Sequence, residues 1–521
     1  MNHRCTSAVT ACAATLLLVL TTGCDTIGGA LGADPGATAR PSPGTGEKPV
    51  TRDVIAESGA ALAEAALTLN RLGAEHMVAE FTFTSETATG PWDSNLYGNV
   101  SFPTPATGDY PQDDMSGLYW IGPEGRSAHM PYFTEDRACL CTRFDDTHKW
   151  GITKERPVKA AAVLPAPPKD VEKVTVGTVF SLPFADVPIG TDAPELAEYG
   201  IESPRGSGAE AEVWPLVGAA TSKDGAESVR EQEDDTDVDL SADVLFDLDE
   251  HTLTPKADKV LDRAARRIED SGAASVGVAG HTDDSGTDAV NEPLSERRAD
   301  AVAKGLDRRI DSEVDFTTSG HGSKEPVADN ATEEGAQRNR RVTVTLPRAA
   351  EGAASSPRPD SSAAPAASGK GRPMTEFAET VTDEEEPAYK AELKGLGLER
   401  IATDTVLLSY AMTSRYDSTE GLNPFWPEPS TTALSSLEGT SATDPATGTT
   451  YGSMVIDQGA AVPEGAFSTY CACTITSAGG MFVAKGETGT LYVLLPVPED
   501  VGVLDIALGK DLTFKNARIE D

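Results

Sequence analysis

Four of the seven cysteines stand in two Cys-x-Cys pairs, Cys139 with Cys141 and Cys471 with Cys473. On a β-strand, residues i and i+2 point to the same face, so the two sulfurs of a pair can approach one partner together. Two chemistries fit this spacing: disulfide formation in an oxidising compartment, or metal binding by thiolates that converge from both pairs. We favour structural disulfides, and the sequence leaves open whether they form within each pair or between the pairs.

Other reactive patterns are missing from the sequence. It contains no Cys-x-x-Cys element, phosphate-binding loop, zinc-protease helix or Gly-x-Ser-x-Gly motif. We therefore expect a protein that is not an enzyme and that holds no metal or cofactor. The 83 acidic and 43 basic residues leave a net charge of −40, which repels phosphate backbones. Nucleic acid is therefore not an expected partner.

Residues 1–24 have the organisation of a secretory signal. The apolar run Ala8–Leu20 suits a signal-peptide core and is shorter than the ~20 residues that span a bilayer. It ends on Thr-Thr-Gly-Cys24, which resembles a bacterial lipobox, although Thr21 stands where Leu is usual. The resemblance implies that Cys24 is lipidated and becomes the mature N-terminus, and acyl chains would anchor the protein stably. An ordinary secretory signal is the alternative.

Composition divides the remaining chain into a tether, two linkers and three domains. Segments rich in Gly, Ala, Ser, Pro or acidic residues bury too little apolar surface to offset their ordering entropy. The predicted order is a flexible tether (25–53), a β-rich repeat domain (54–201), an acidic linker (202–237), a central domain (238–348), an Ala/Ser/Pro linker (349–373) and a second β-rich repeat domain (374–521).

The two outer domains resemble each other. Each Cys-x-Cys pair is followed by a similar motif, Leu164-Pro-Ala-Pro or Leu495-Pro-Val-Pro, and the two intervals differ by one residue. Short alternating runs such as Val174–Leu182, bounded by Gly, Pro and Asp clusters, predict antiparallel strands. We therefore expect two duplicated all-β domains, each an immunoglobulin-like sandwich.

The central domain alternates strand and helix patterns. The predicted elements are an apolar run ending at Val244–Phe246, a helix over Pro255–Asp270, a strand over Ala274–His281, a helix from a capping Ser295 to Ile310, and strands over Glu313–Ser319 and Arg341–Leu346. This β-α-β-α-β-β order predicts an α/β sandwich with helices covering a mixed sheet.

Six blocks within these elements carry a family resemblance. They are Leu245-Phe-Asp-Leu-Asp249 with Leu253-Thr-Pro255, Gly280-His-Thr-Asp-Asp-Ser-Gly286, Asn291-Glu-Pro-Leu-Ser-Glu-Arg-Arg-Ala299, Gly320-His-Gly322, Pro326-Val-Ala-Asp-Asn330 and Asn339-Arg-Arg-Val342. In this order they resemble the OmpA C-terminal-like peptidoglycan-binding domain, also found in Pal lipoproteins and the stator protein MotB.

The resemblance implies a ligand, the diaminopimelate residue of peptidoglycan stem peptides, whose end is a zwitterion. It assigns Asp283, just beyond a strand, to the ammonium and Arg298, in the first turn of the next helix, to the carboxylate. An arginine can grip a carboxylate with two parallel hydrogen bonds, and the helix N-terminus would add to carboxylate binding. Four further residues are implied to line the pocket: Asn291, Asp249, Thr282 and Thr252. We expect Asn339, Arg340 and Arg341 to fix the last strand rather than to contact ligand.

These inferences predict a lipid-anchored, extracytoplasmic protein of the cell envelope that links membrane to peptidoglycan without catalysis. It would lie on the outer membrane of a two-membrane host or on the outer face of the plasma membrane of a one-membrane host. The alternative is an interaction protein whose β-repeats bind a protein or glycan partner, with the central domain serving only for localisation.

Replacing Cys24 tests the predicted anchor. Cys24→Ala should release the protein from membranes, because no acyl chain could then be attached. Detergent-phase partitioning of the variant measures this, and full retention in the detergent phase would rule out acylation.

The repeat cysteines are expected to be oxidised after export. Mass measurement after alkylation without reductant should find no label on Cys139, Cys141, Cys471 or Cys473. Labelling of all four, or stoichiometric bound metal, would contradict this expectation.

Overall fold

The computed structural model of the chain describes residues 48–55, 61–86, 115–136, 138–143, 152–178, 180–231, 235–328, 330–347, 371–382, 390–415, 440–457, 469–471, 486, 488–508 and 512–520. All of them belong to one compact unit, 47–521. They form a multidomain, mostly sheet structure with few helices.

The strands and helices follow in chain order. The N-terminal flank contains β1 (Val50–Ile55), β2 (Ala61–Leu72), β3 (His76–Thr84), β4 (Tyr119–Ile121), β5 (Ser127–Phe133), β6 (Val158–Pro165), β7 (Lys173–Gly177) and β8 (Phe184–Gly190). Next come β9 (Glu210–Val217), β10 (Ala219–Thr221) and β11 (Glu227–Glu231). The central domain contains β12 (Asp235–Ser241), α1 (Ala242–Leu245), α2 (Ala257–Ser271), β13 (Ser275–His281), α3 (Asp288–Asp307), β14 (Asp315–Gly322), α4 (Glu333–Asn339) and β15 (Arg341–Pro347). The C-terminal flank contains β16 (Ala378–Thr382), β17 (Lys390–Ala402), β18 (Thr405–Ser414), β19 (Thr440–Thr443), β20 (Thr450–Gly452), β21 (Val455–Asp457), β22 (Thr469–Cys471), β23 (Thr488–Leu495), β24 (Val503–Leu508) and β25 (Leu512–Arg518).

Strand pairing follows the same order in the two flanks. In the first, β1, β2, β3 and β6 pair in sequence; in the second, β16, β17, β18 and β23 do. Strand β4 lies between β5 and β7, with β8 beyond, just as β19 lies between β20 and β24, with β25 beyond. The expected immunoglobulin-like sandwiches are not confirmed, because the sheets combine strands from different parts of the chain. Strands β21 and β22 of the second flank complete a sheet of the first.

An arginine holds the proline motif of each flank. Arg71, near the end of β2, and Arg400, near the end of β17, each donate hydrogen bonds of 2.8–3.1 Å to three carbonyl oxygens of the motif and of the residues that directly follow it. The acceptors are Pro167, Pro168 and Val171 in the first flank, and Val497, Pro498 and Val501 in the second. In both flanks the proline motif is therefore held in place by the same kind of hydrogen bonds from an arginine.

The two flanks also pack against each other. The turn after β4 places Arg126, whose side chain is 9% exposed, in an ion pair with Asp404 in the turn after β17. The Thr405 hydroxyl donates to the Gly125 carbonyl at 2.9 Å. An apolar cluster that includes Trp214, Leu407 and Tyr492 is drawn from both flanks and from β9. The two flanks thus contact each other through an ion pair, a hydrogen bond and a shared apolar cluster.

The segment 202–237 was expected to be a linker, and the structure shows that this was wrong for most of it. Strand β9 pairs with β5 of one flank and β21 of the other, and β10 pairs with β20. Two of its acidic side chains form ion pairs: Arg230 Nη2 lies 3.3 Å from Asp237, and Arg263 Nε lies 2.8 Å from Glu227. The amino-acid composition of a segment does not reveal such ion pairs. The predicted tether, residues 25–53, also extends too far, since residues 50–53 belong to β1.

The central sheet has the order β14-β13-β15-β12, in which only β13 and β14 are parallel. Its apolar core comprises residues of α2, α3 and the strands, among them Leu261, Val302 and Val344. The structure has the expected β-α-β-α-β-β order with the short helices α1 and α4 added. Val244 and Leu245 lie in α1, because the first strand ends at Ser241.

Helix α3 begins seven residues earlier than expected, at Asp288. Pro293 lies within its second turn, beyond the first four residues whose N–H groups have no helical acceptor, so the helix lacks one i→i−4 hydrogen bond there. Ser295 therefore does not cap the helix. Its hydroxyl donates to the Glu292 carbonyl and accepts from the Gly322 N–H.

The central sheet also requires β11. Ala226 and Val229 are buried in the central core, and Glu227, which is 1% exposed, pairs with an arginine of α2. A fragment of residues 238–348 begins inside β12 and lacks these contacts. It should be about 3 kcal/mol less stable than a fragment of residues 222–348, through lost apolar burial and an unpaired arginine. Equal urea midpoints for the two fragments would contradict this role of β11.

Candidate functional site

Two parallel strands and one helix position the site. The carboxyl ends of β13 and β14 meet at one edge of the sheet, and α3 lies directly on them. A Cβ at Gly280 would come within 2.0 Å of the Ser295 carbonyl oxygen, and one at Gly320 within 2.4 Å of the Glu296 nitrogen. Glycine at both positions therefore permits the close approach of the helix, which brings Arg298 towards the loop that follows β13.

Asp283 lies in that loop, as the sequence predicted, but its carboxylate is already engaged. One oxygen, Oδ1, accepts hydrogen bonds from the backbone N–H and the hydroxyl of Ser285. The other, Oδ2, accepts from Arg340 Nη1 at 2.8 Å. Burial opposes ionisation, but these hydrogen bonds outweigh it and hold the pKa of Asp283 below its usual value. Asp283 is thus an oriented carboxylate.

Arg298 is 7% exposed and lies in the third turn of α3, not in the first turn as expected. The helix N-terminus is therefore not beside it. Its Nε donates to the Glu250 carbonyl at 2.9 Å, and its guanidinium lies 5.3 Å from the centre of the Phe246 ring. Within the described residues, its two terminal nitrogens donate no hydrogen bond.

Burial and the neighbouring carboxylates act on the charge of Arg298 in opposite directions. Burial lowers its pKa, whereas Asp243, Asp249 and Asp283 act in the opposite direction. These acids compensate the positive charge electrostatically, although none is hydrogen-bonded to it. The terminal nitrogens are therefore free to form a two-point contact with an incoming carboxylate.

The other implied pocket residues differ in their placement. Asn291 is 5% exposed, and its Nδ2 donates to the Asp283 carbonyl at 3.3 Å. The Thr282 hydroxyl donates to the same carbonyl at 2.8 Å. Asp249 has a φ of 57°, which is uncommon for a residue other than glycine and is concentrated at functional sites. Thr252 is exposed and forms no side-chain hydrogen bond with the residues that the structure describes.

Arg340 is the site residue that the sequence analysis missed. Of the three residues expected to fix the last strand, Asn339 instead holds the preceding loop, where its Oδ1 accepts from the Val327 and Ala328 N–H groups. Arg341 donates to the Glu325 carbonyl. Arg340 reaches Asp283 across the site. The signal for this was its place in the Asn339-Arg-Arg-Val342 block, which does not by itself distinguish between two adjacent arginines.

The remaining predicted residues lie elsewhere. A disulfide joins Cys139 to Cys141, within one pair, beside the apolar core of the first flank. Cys471 ends β22, whereas Cys473 and Cys24 fall outside the described residues. No cluster of three or more His, Cys, Asp or Glu that could hold a metal ion occurs in the described part of the chain. Among those same residues, no helix is long and apolar enough to cross a bilayer.

Comparison with known proteins identifies the central segment. The sequence model of the OmpA family matches residues 245–340. Outer membrane protein A of Bordetella avium is 39% identical over 113 residues, which are 20% of this chain and 55% of that protein. Peptidoglycan-binding protein ArfA of Mycobacterium tuberculosis is 37% identical over 103 residues, or 20% of this chain and 32% of that protein.

A third relative is named "Probable lipoprotein YiaD", from Escherichia coli. It is 34% identical over 119 residues, or 23% of this chain and 54% of that protein. The chain thus spans about half or less of the length of these relatives, and the likeness is confined to the segment that carries Asp283 and Arg298. Residues 245–340 of this chain form an OmpA-like domain.

Proposed function

We propose that this protein binds peptidoglycan, without catalysis, through the diaminopimelate residue of the stem peptide. The observation that supports this most strongly is the pairing of unlike charges at one edge of the central sheet. An ionised, oriented carboxylate, Asp283, lies in the loop that faces a buried arginine, Arg298, whose terminal nitrogens are unengaged. One relative with the same domain is named as peptidoglycan-binding.

The zwitterionic end of diaminopimelate fits this arrangement. Its ammonium would meet Asp283, and its carboxylate would accept two hydrogen bonds from Arg298. Asn291 and Thr282 would support the site by holding the Asp283 backbone, and Asp249 would add negative charge near the ammonium. Because the chain carries a net charge of −40, general attraction would not draw in a carboxylate-bearing polymer, and a preorganised site is needed.

We also propose that Cys24 carries a lipid anchor and that the protein links a membrane of the cell envelope to the wall. The lipobox-like sequence before Cys24 supports this, and relatives of the central domain include an outer membrane protein and a lipoprotein by name. Because the central sheet shares strands with its neighbours, such an anchor would hold the wall-binding site and both flanks at the membrane together.

Substitutions at the two charged residues test the binding site. Asp283→Ala and Arg298→Ala should each weaken binding by about 2–5 kcal/mol, because each leaves a partly desolvated ligand charge without its partner. Arg298→Lys should also lose much of the affinity, since an ammonium cannot reproduce the two-point contact. The measurement is co-sedimentation of the chain from residue 25 onwards with purified diaminopimelate-type peptidoglycan.

The matched control is Arg297→Ala. Arg297 is exposed on the same helix, so this variant should bind peptidoglycan like the wild type. Circular dichroism establishes that each variant is folded. Wild-type binding by both folded alanine variants would show that the proposed site is wrong.

A further inference from the structure

Arg340 contacts three carboxylates that come from three different elements. Its Nη1 donates to Asp283 at 2.8 Å, in the loop after β13. Its Nε and Nη2 donate to Asp243 of α1 at 3.0 and 2.9 Å, and Nη2 lies 3.2 Å from Glu333 of α4. A surface arginine needs no such arrangement, since single exposed ion pairs contribute little stability.

We infer that Arg340 is a positioning residue for the ligand: it holds the Asp283 carboxylate in the orientation in which that group receives the ligand ammonium, and does not itself contact the ligand. This inference rests on the proposed binding of diaminopimelate by Asp283 and Arg298.

The hydrogen-bonding capacity of Asp283 supports this role. A carboxylate offers about four acceptor directions. Ser285 occupies Oδ1 twice, and Arg340 occupies Oδ2 once. One direction on Oδ2 therefore remains for an ammonium. Because both oxygens are held, the carboxylate would not have to lose rotational freedom when the ligand binds.

The other partners of Arg340 make its position compatible with a nearby ammonium. A guanidinium beside the ligand ammonium would repel it, but Asp243 and Glu333 compensate the charge of Arg340 through Nε and Nη2, the nitrogens that do not contact Asp283. Its contacts to Asp243 also fix the guanidinium at two nitrogens. Arg340 can thus stay on Asp283 while the ligand is bound.

Arg340 also helps to keep Asp283 ionised. Burial raises the pKa of this carboxyl, and hydrogen bonds from Ser285 and Arg340 lower it to below its usual value. Without Arg340 the pKa should rise. Since a protonated carboxyl no longer offers a negative charge to an ammonium, binding would then be lost at a higher pH than in the wild type.

The test combines Arg340→Gln with Asp283→Asn in the chain from residue 25 onwards, with insoluble diaminopimelate-type peptidoglycan as the probe. Arg340→Gln alone should bind about tenfold more weakly at neutral pH, and the pH at which half of the binding is lost should move upwards. In the Asp283→Asn background, Arg340→Gln should change affinity by less than about twofold. Arg338→Gln, an equal change of charge at an exposed residue of α4, should bind like wild type.

Each outcome is decisive. Wild-type affinity and pH profile for Arg340→Gln would overturn the inference while leaving the Asp283 and Arg298 site intact. A further tenfold loss in the Asp283→Asn background would show that Arg340 contacts the ligand itself, which also overturns it. Absence of binding by the wild-type chain would overturn the proposed function together with this inference. If Arg340→Gln does not fold, Arg340→Lys replaces it, with a smaller loss expected and the same dependence on Asp283.

Discussion

An arginine that is shielded from water needs carboxylates or carbonyl oxygens as hydrogen-bond partners. Much of the polar structure of this chain meets that requirement. With 43 basic and 83 acidic residues, the chain has an excess of acids, and several buried or partly buried arginines connect parts of it. Arg71 and Arg400 hold proline motifs, Arg126 joins the two flanks, and Arg263 ties β11 to the central helices. Removing one such partner leaves a buried charge uncompensated, which is costly.

The candidate ligand site uses the same physical chemistry with one difference. Arg340 has all three of its nitrogen groups engaged, whereas the terminal nitrogens of Arg298 donate no hydrogen bond to any residue that the structure describes. Both arginines are surrounded by carboxylates, but only one is left with donors for a ligand. The proposed positioning arginine and the proposed ligand-binding arginine therefore differ in their hydrogen bonds, although both are surrounded by carboxylates.

Sheet pairing makes the proposed wall-binding domain continuous with its neighbours. Strands β12, β11 and β10 extend the central sheet to β20 of the second flank, and β9 continues into the sheets of both flanks. A domain joined in this way does not turn freely as a module on a flexible linker would.

Local patterns determined a large part of this picture. The spacing of apolar residues predicts α2 and β13 within a few residues, since helix and strand periods follow from backbone geometry. The ordered blocks around Asp283 and Arg298 identify the OmpA-like domain, because chemistry and backbone turns constrain residue types at fixed intervals. The matched cysteine and proline motifs point to two similar flanks. Only the tertiary structure decided that strands β9, β10, β11 and β12 are shared between flanks and centre, that α3 starts at Asp288, and that Arg340 rather than Arg341 meets Asp283. Each of these depends on partners far away in the sequence, which supply the hydrogen bonds and opposite charges that make a local arrangement stable.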